Sequence, residues 1–183
     1  MTLSEAAKML ERWPSAWDHT KVRELFKKTT PKVVILKTLW YPEVIGGMLE
    51  SAKSYFAGAG IPDSHILIVD VPGSFELPLA ADWAFEGLID GQKDKAGADI
   101  VVALGCVLKG ETPHFDFVCS AASKGLMESQ QKYKKALGFG VLTVDNLDQA
   151  TARRSKGAEA AQAALFMYLI RSKAVEFSWL GKV

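Results

Sequence analysis

Cysteine, histidine, one-sided charge and long apolar runs are all scarce in this chain. Two cysteines and three histidines stand among 183 residues. Two cysteines cannot build the disulfide framework of a small secreted scaffold, and no Cys/His spacing here matches a metal site. Cys106 and Cys119 fall in a predicted strand and a predicted helix, as buried reduced thiols of a reducing compartment do. No apolar run approaches the roughly 18 residues a membrane helix needs. The first residues mix Glu5, Glu11, Asp18 and Glu24 with lysines and lack an apolar core, which argues against a secretory signal. Lys and Arg total 22 against 21 Asp and Glu, a formal net charge of +1. Nucleic-acid binding needs a clustered basic excess, so that class is set aside. These absences leave a cytoplasmic protein that handles small molecules.

What is present suits one domain with a sizeable core: 49% hydrophobic and 23% charged residues. Residues 1–31 read as an N-terminal extension, with two short helical patterns, Glu5 to Trp13 and His19 to Lys28, separated by Pro14. Its Trp13, Trp17 and Phe26 are candidates for docking on a neighbouring subunit. From residue 32 to 183 an α/β domain is expected, because apolar runs alternate with amphipathic ones. Strands are expected at Val33–Leu39, His65–Val71, Ile100–Leu108 and Phe139–Val144. Helices are expected at Glu43–Phe56, Ser74–Leu88, Phe115–Leu137 and Lys156–Arg171, with a polar loop at Asp90–Gly97. Alternation of this kind implies parallel pairing through right-handed crossovers. The expected architecture is a three-layer α/β/α sandwich on a four-stranded parallel sheet, flavodoxin-like in type.

Ligands of open parallel sheets bind beyond the carboxyl ends of the strands. The residues there are Trp40-Tyr41-Pro42, Gly73-Ser74-Phe75-Glu76, Lys109 to His114, and Asp145-Asn146 followed by Arg153, Arg154 and Lys156. Trp40 offers a flat π surface for a heteroaromatic ring; by itself it reads more readily as a core or interface tryptophan. Ser74 and Glu76 read as a helix cap and first-turn acid, and the carboxylate can also accept from hydroxyls or ring N–H groups. Lys109-Gly110-Glu111-Thr112 combines a cation, a turn and a hydroxyl without matching a Walker motif. His114 opens a helix, where an imidazole can trade a proton near neutral pH. An arginine at 153 or 154 can grip a phosphate through charge-assisted bonds.

With those loops laid out, the chain resembles the 6,7-dimethyl-8-ribityllumazine synthase family. The likeness is carried by Val71-Pro-Gly-Ser-Phe-Glu-Leu-Pro78, Gly110-Glu-Thr-Pro-His-Phe-Asp116, Phe139-Gly-Val-Leu-Thr143, Asp148-Gln-Ala150 and Lys156-Gly-Ala-Glu-Ala-Ala161, in order along the chain. The resemblance implies a transferase of riboflavin biosynthesis that joins 5-amino-6-(D-ribitylamino)uracil to 3,4-dihydroxy-2-butanone 4-phosphate with no cofactor and no metal. It implies that Trp40 stacks on the pyrimidine and that Ser74, Phe75 and Glu76 hold the ribityl chain. Cys106, Val107 and Leu108 would border the uracil ring, with Lys109 and Lys156 as further substrate contacts. Glu111 and Thr112 would meet the butanone phosphate, His114 would move protons, and Arg153 would bind the phosphate. Phe139 and Arg153 would come from an adjacent subunit, making the protein a homo-oligomer, a pentamer or a pentamer-based assembly.

Two departures from the family pattern stand out. Only Arg154 and Ser155 separate Arg153 from Lys156, where the family has a longer loop; either arginine could then serve the phosphate. The loop at 90–97 is also long. Archaeal-type riboflavin synthase is a rival disfavoured by the complete Gly110–Asp116 loop. A rival of another class is a non-catalytic flavin- or lumazine-binding assembly protein. A generic flavodoxin-like binding module would need a phosphate cradle at Thr38–Pro42, which those residues do not form.

Overall fold

The computed structural model describes residues 19–91 and 96–172. The helical pattern at Glu5 to Trp13, with Trp13 and Trp17, lies outside them. In chain order the elements are α1 (His19–Lys28), β1 (Val33–Thr38), α2 (Pro42–Ala59), β2 (Ile66–Val71), α3 (Leu77–Glu86), β3 (Ile100–Leu108), α4 (His114–Tyr133), β4 (Ala136–Val144), α5 (Leu147–Thr151) and α6 (Lys156–Arg171). A single 3₁₀ turn, Asp63–His65, leads into β2. The four strands form one parallel sheet in the order β2-β1-β3-β4. Among the described residues no helix is long and apolar enough to cross a membrane.

Strand side chains alternate between two cores, as a two-residue period requires. Val33, Ile35, Ile100, Val102 and Leu104 face α2 and α6, where Met48, Phe56, Ala161 and Leu165 are fully buried. Val34, Leu36, Val101 and Ala103 face the other way, onto Leu77, Ala81, Ala84 and Leu126 of α3 and α4. The central strands β1 and β3 are therefore apolar over most of their buried length, with Thr38 at the end of β1 the buried polar exception. β2 is an edge strand, and there the continuous apolar expectation breaks: Asp70 is exposed and pairs with Lys37 of β1, its register partner.

Four local expectations shift. α3 begins at Leu77 rather than Ser74, because residues 73–76 form a tight turn closed by Glu76 N–H to the Gly73 carbonyl at 3.3 Å. Pro78 then falls in the first helical turn, where its missing N–H costs nothing. α4 stops at Tyr133, not Leu137, because Lys134 turns left-handed (φ 51°) and ends it. β4 consequently starts at Ala136, three residues before Phe139. The stretch between β4 and α6, for which the sequence pattern predicts no element, holds the short helix α5; Asn146 caps it by accepting from Gln149 N–H at 2.9 Å, and Gln149 Oε1 accepts from Asp145 N–H at 3.0 Å.

Phe26 does not present itself to another subunit. Its ring is 3% exposed and buried in the α2–α6 core of its own chain, and Arg23 of the same helix donates twice to the Gly58 carbonyl. The last turn of α2 is therefore covered by α1.

Candidate active site

In this strand order the crossovers leave in opposite directions from β1 and β3, so a crevice opens between their carboxyl ends. The chain lines it with Trp40, Tyr41, Gly73, Ser74, Phe75, Glu76, Cys106, Val107, Leu108, His114 and Val118, around a cleft of about 500 Å³. Eight expected site residues thus meet there from three separate loops: Trp40, Ser74, Phe75, Glu76, Cys106, Val107, Leu108 and His114.

Local backbone chemistry presents each of them. Tyr41 adopts a left-handed conformation (φ 54°, ψ 61°) just before Pro42 opens α2. That conformation costs a non-glycine residue about 1–2 kcal/mol. Val44 and Ile45 N–H groups both bond back to the Tyr41 carbonyl at 3.0 Å, which holds the kink. Trp40 is left outside the core, 64% exposed, and Phe75 stands 61% exposed from the second loop. Two large exposed aromatics on one cleft are apolar surface without an internal use, the mark of a binding face.

Beneath them Ser74 is buried, and its hydroxyl lies against Gly105 of β3, where a Cβ would come within 2.6 Å of it. A side chain at 105 would push the Ser74 hydroxyl out of this position. The Glu76 carboxylate caps nothing and, among the described residues, pairs with no cation; it is exposed and free to accept from a ligand. Cys106 forms the floor, and burial pushes its thiol up to about 11, so it stands there as a neutral apolar wall. His114 is the first residue of α4, after Pro113 as its cap. Lys109, Glu111 and Thr112 are exposed on the loop between β3 and His114.

Phe139, Arg153 and Lys156 are elsewhere. They line a second cleft of about 570 Å³ beside the free edge of β4, with Gly140, Thr143 and Glu159 among its other walls. Phe139 lies on the face of β4 shared with Leu137 and Val141, half exposed. Lys156 is already committed, its ammonium 2.5 Å from the Glu159 carboxylate. Arg153 donates through Nη1 to the Gln149 carbonyl at 2.8 Å and, among the described residues, has no acidic partner. Of the two cations in this cleft, Arg153 is the one with donors to spare for an anion. Arg154 points the opposite way, its stem packed on Gly47 of α2 and its guanidinium 3.9 Å from Glu43. The short loop therefore leaves Arg153, not Arg154, facing the second cleft.

Tyr41 and Gly73, which stand in the expected strand-end loops, line the first cleft as well, and so does Val118, which those loops do not include. Val118 had a usable signal: it lies four residues after His114, on the same helix face. Glu159 likewise follows Lys156 by three, a spacing that pairs charges.

A family model described as 6,7-dimethyl-8-ribityllumazine synthase matches residues 30–172. A protein of that name from Cytophaga hutchinsonii is 43% identical over 133 residues, covering 70% of this chain and 79% of the relative. One from Kineococcus radiotolerans is 41% identical over 141 residues, covering 73% and 81%. One from Leifsonia xyli subsp. xyli is 43% identical over 141 residues, covering 73% and 82%. The chain belongs to the 6,7-dimethyl-8-ribityllumazine synthase family, transferases of riboflavin biosynthesis.

Proposed function

We propose that the chain makes 6,7-dimethyl-8-ribityllumazine in a composite site, with the Trp40–His114 cleft of one subunit closed by the Phe139–Arg153 cleft of another. One observation carries this reading: the pyrimidine-type half and the cationic half of the expected site lie in two separate clefts of one chain. Each half lacks what the other has. Repeating one head-to-tail contact around a closed ring, a pentamer, joins every half to its complement.

In the assembled site Trp40 stacks on the uracil ring and the Gly73–Glu76 turn receives the ribityl hydroxyls. The 5-amino group adds to the ketone of the butanone phosphate and one water is lost; the phosphate leaves, the resulting enol becomes a second ketone, and the ribityl-bearing amine closes the ring on it with loss of a second water. His114 takes and returns protons during these steps, a contribution of roughly 10²–10⁴-fold. Arg153 of the adjacent copy holds the phosphate as substrate and stabilises it as it departs. Most of the acceleration comes from holding two substrates in reacting geometry, where effective molarities reach about 10⁵–10⁸ M.

Complementation tests the arrangement. At butanone phosphate concentrations well below KM, His114→Ala and Arg153→Ala subunits should each be strongly impaired alone. Coexpressed at equal levels and mixed at random, about a quarter of the interfaces in a ring pair an intact His114 with an intact Arg153. Recovery of about that fraction of the lumazine-forming absorbance change is the expected result. No recovery from a mixed assembly of verified composition rejects a site shared between subunits.

A further inference from the structure

The turn that carries Arg153 is clamped from behind by one hydroxyl of a different helix. Ser51 of α2 donates its single proton to two carbonyls it can reach, Met48 at 2.9 Å and Arg154 at 3.0 Å. The same oxygen accepts from the N–H of Ala158 at 3.1 Å. The Ala158 N–H also bonds the Ser155 carbonyl at 3.0 Å, but the Ser155 side chain makes no capping bond, so Ser51 supplies the side-chain acceptor at the start of α6. Ser51 therefore caps α6 from α2, across 107 residues of chain.

Two further contacts set the fit. Gly157 brings α6 against α2 so closely that a Cβ there would lie 1.9 Å from the Met48 carbonyl oxygen and 2.6 Å from Ser51 Oγ. Arg154 lays its stem across Gly47, where a Cβ would meet its Cδ at 2.6 Å, and its Nε is buried without a partner. Arg154 is thus the tether of the turn. Arg154 is held to α2 through its carbonyl and its stem, while the Arg153 side chain lines the second cleft together with Phe139.

We infer that Ser51 is a positioning residue for phosphate recognition: its hydroxyl sets the height and angle of the 153–156 turn, and so where the Arg153 guanidinium sits. The inference rests on the reading of Arg153 as the phosphate ligand. It also gives the brevity of this loop a physical meaning. A turn with only two residues between Arg153 and Lys156 has little freedom of its own, so its placement is inherited from the helix it is bonded to.

Ser51→Ala removes one acceptor and one donor and leaves both clefts otherwise intact. In the full-length assembly, the KM for the butanone phosphate and the inhibition constant of inorganic phosphate should rise together, roughly 3- to 10-fold, the worth of one such bond. The dissociation constant of the ribityl-pyrimidine should stay within about twofold, because Ser51 is not among the residues lining the Trp40 cleft. Gly47→Ala, which displaces the Arg154 stem, should shift the same two constants in the same direction and serves where Ser51→Ala fails to assemble. Arg153→Ala is measured alongside. If Arg153→Ala weakens phosphate and the two clamp variants do not, the positioning role is wrong and the ligand assignment stands. If Arg153→Ala leaves phosphate inhibition unchanged, the ligand assignment itself fails. Equal loss for phosphate and pyrimidine in Ser51→Ala marks a general loosening of the fold and also overturns the inference.

Discussion

His114 and Arg153 face different clefts of one chain, His114 at the β1–β3 crevice and Arg153 beside the unpaired edge of β4. A cation that grips a phosphate and an imidazole that moves protons on the same substrate must stand within a few ångströms of it. The separation therefore makes Arg153 testable apart from the pyrimidine half.

Arg153→Ala should raise the KM for the butanone phosphate by about 10- to 100-fold, the value of hydrogen bonds to a charged group. Pyrimidine affinity, read by fluorescence titration, should change by less than about threefold. Equal losses on both substrates would remove Arg153 from the phosphate. Lys156→Ala should do less than Arg153→Ala, since the Lys156 charge is already paired with Glu159.

Trp40→Ala should separate binding from stability. Stacking an aromatic ring on a base is worth about 1–3 kcal/mol, so pyrimidine affinity should fall roughly 5- to 150-fold. Because the indole is largely exposed in the free chain, its loss should change stability by only about 0.5 kcal/mol. Trp40→Tyr should recover most of the affinity. A large drop in Tm with unchanged affinity would assign Trp40 to packing.

Gly157→Ala ought to destabilise the protein even though alanine is the better helix former by about 1 kcal/mol. The new methyl group would fall 1.9 Å from the Met48 carbonyl oxygen, so α2 and α6 must part. Overpacking of this kind costs about 1–3 kcal/mol. A lowered urea midpoint with an unchanged slope is the expected reading. A rise in stability would mean the helices separate freely.

Stability should decline on the alkaline side. Burial raises the Cys106 thiol from 9.0 to about 11 and the Tyr55 phenol from 10.0 to about 12. Both groups keep their protons in the folded chain at pH values where the unfolded chain releases them. The folded state then binds more protons, and stability falls as pH rises from about 9 to about 12. Urea unfolding at pH 8, 10 and 11 reads the slope. Tyr55→Phe should flatten its upper part, and an unchanged slope in that variant would exclude Tyr55 as a source.

Helices and strands were largely legible because periodicity reports which side of a segment is buried. It does not report what that side is buried against. Phe26 has the same apolar ring whether it meets another subunit or its own α2, and only the fold shows the second. Sequence spacing placed His114 at a helix start, yet the start of α3 was misplaced by three residues because Ser74 resembles a cap and instead packs on Gly105. The α5 helix could have been read from its Asn146–Gln149 capping pair.

Short-range chemistry therefore determined a great deal by itself: four strands, most helices, the ordered motifs and the identity of the residues at strand ends. Strand order was decided by tertiary structure, and with it the crevice between β1 and β3, the free edge of β4 and the presence of His114 and Arg153 in two separate clefts. The directions of Arg153 and Arg154 were also decided there. Adjacent in sequence and chemically identical, they differ only in that Gly47 and Glu43 of α2 receive one of them. Such contacts join residues about a hundred positions apart, and local patterning carries no record of them.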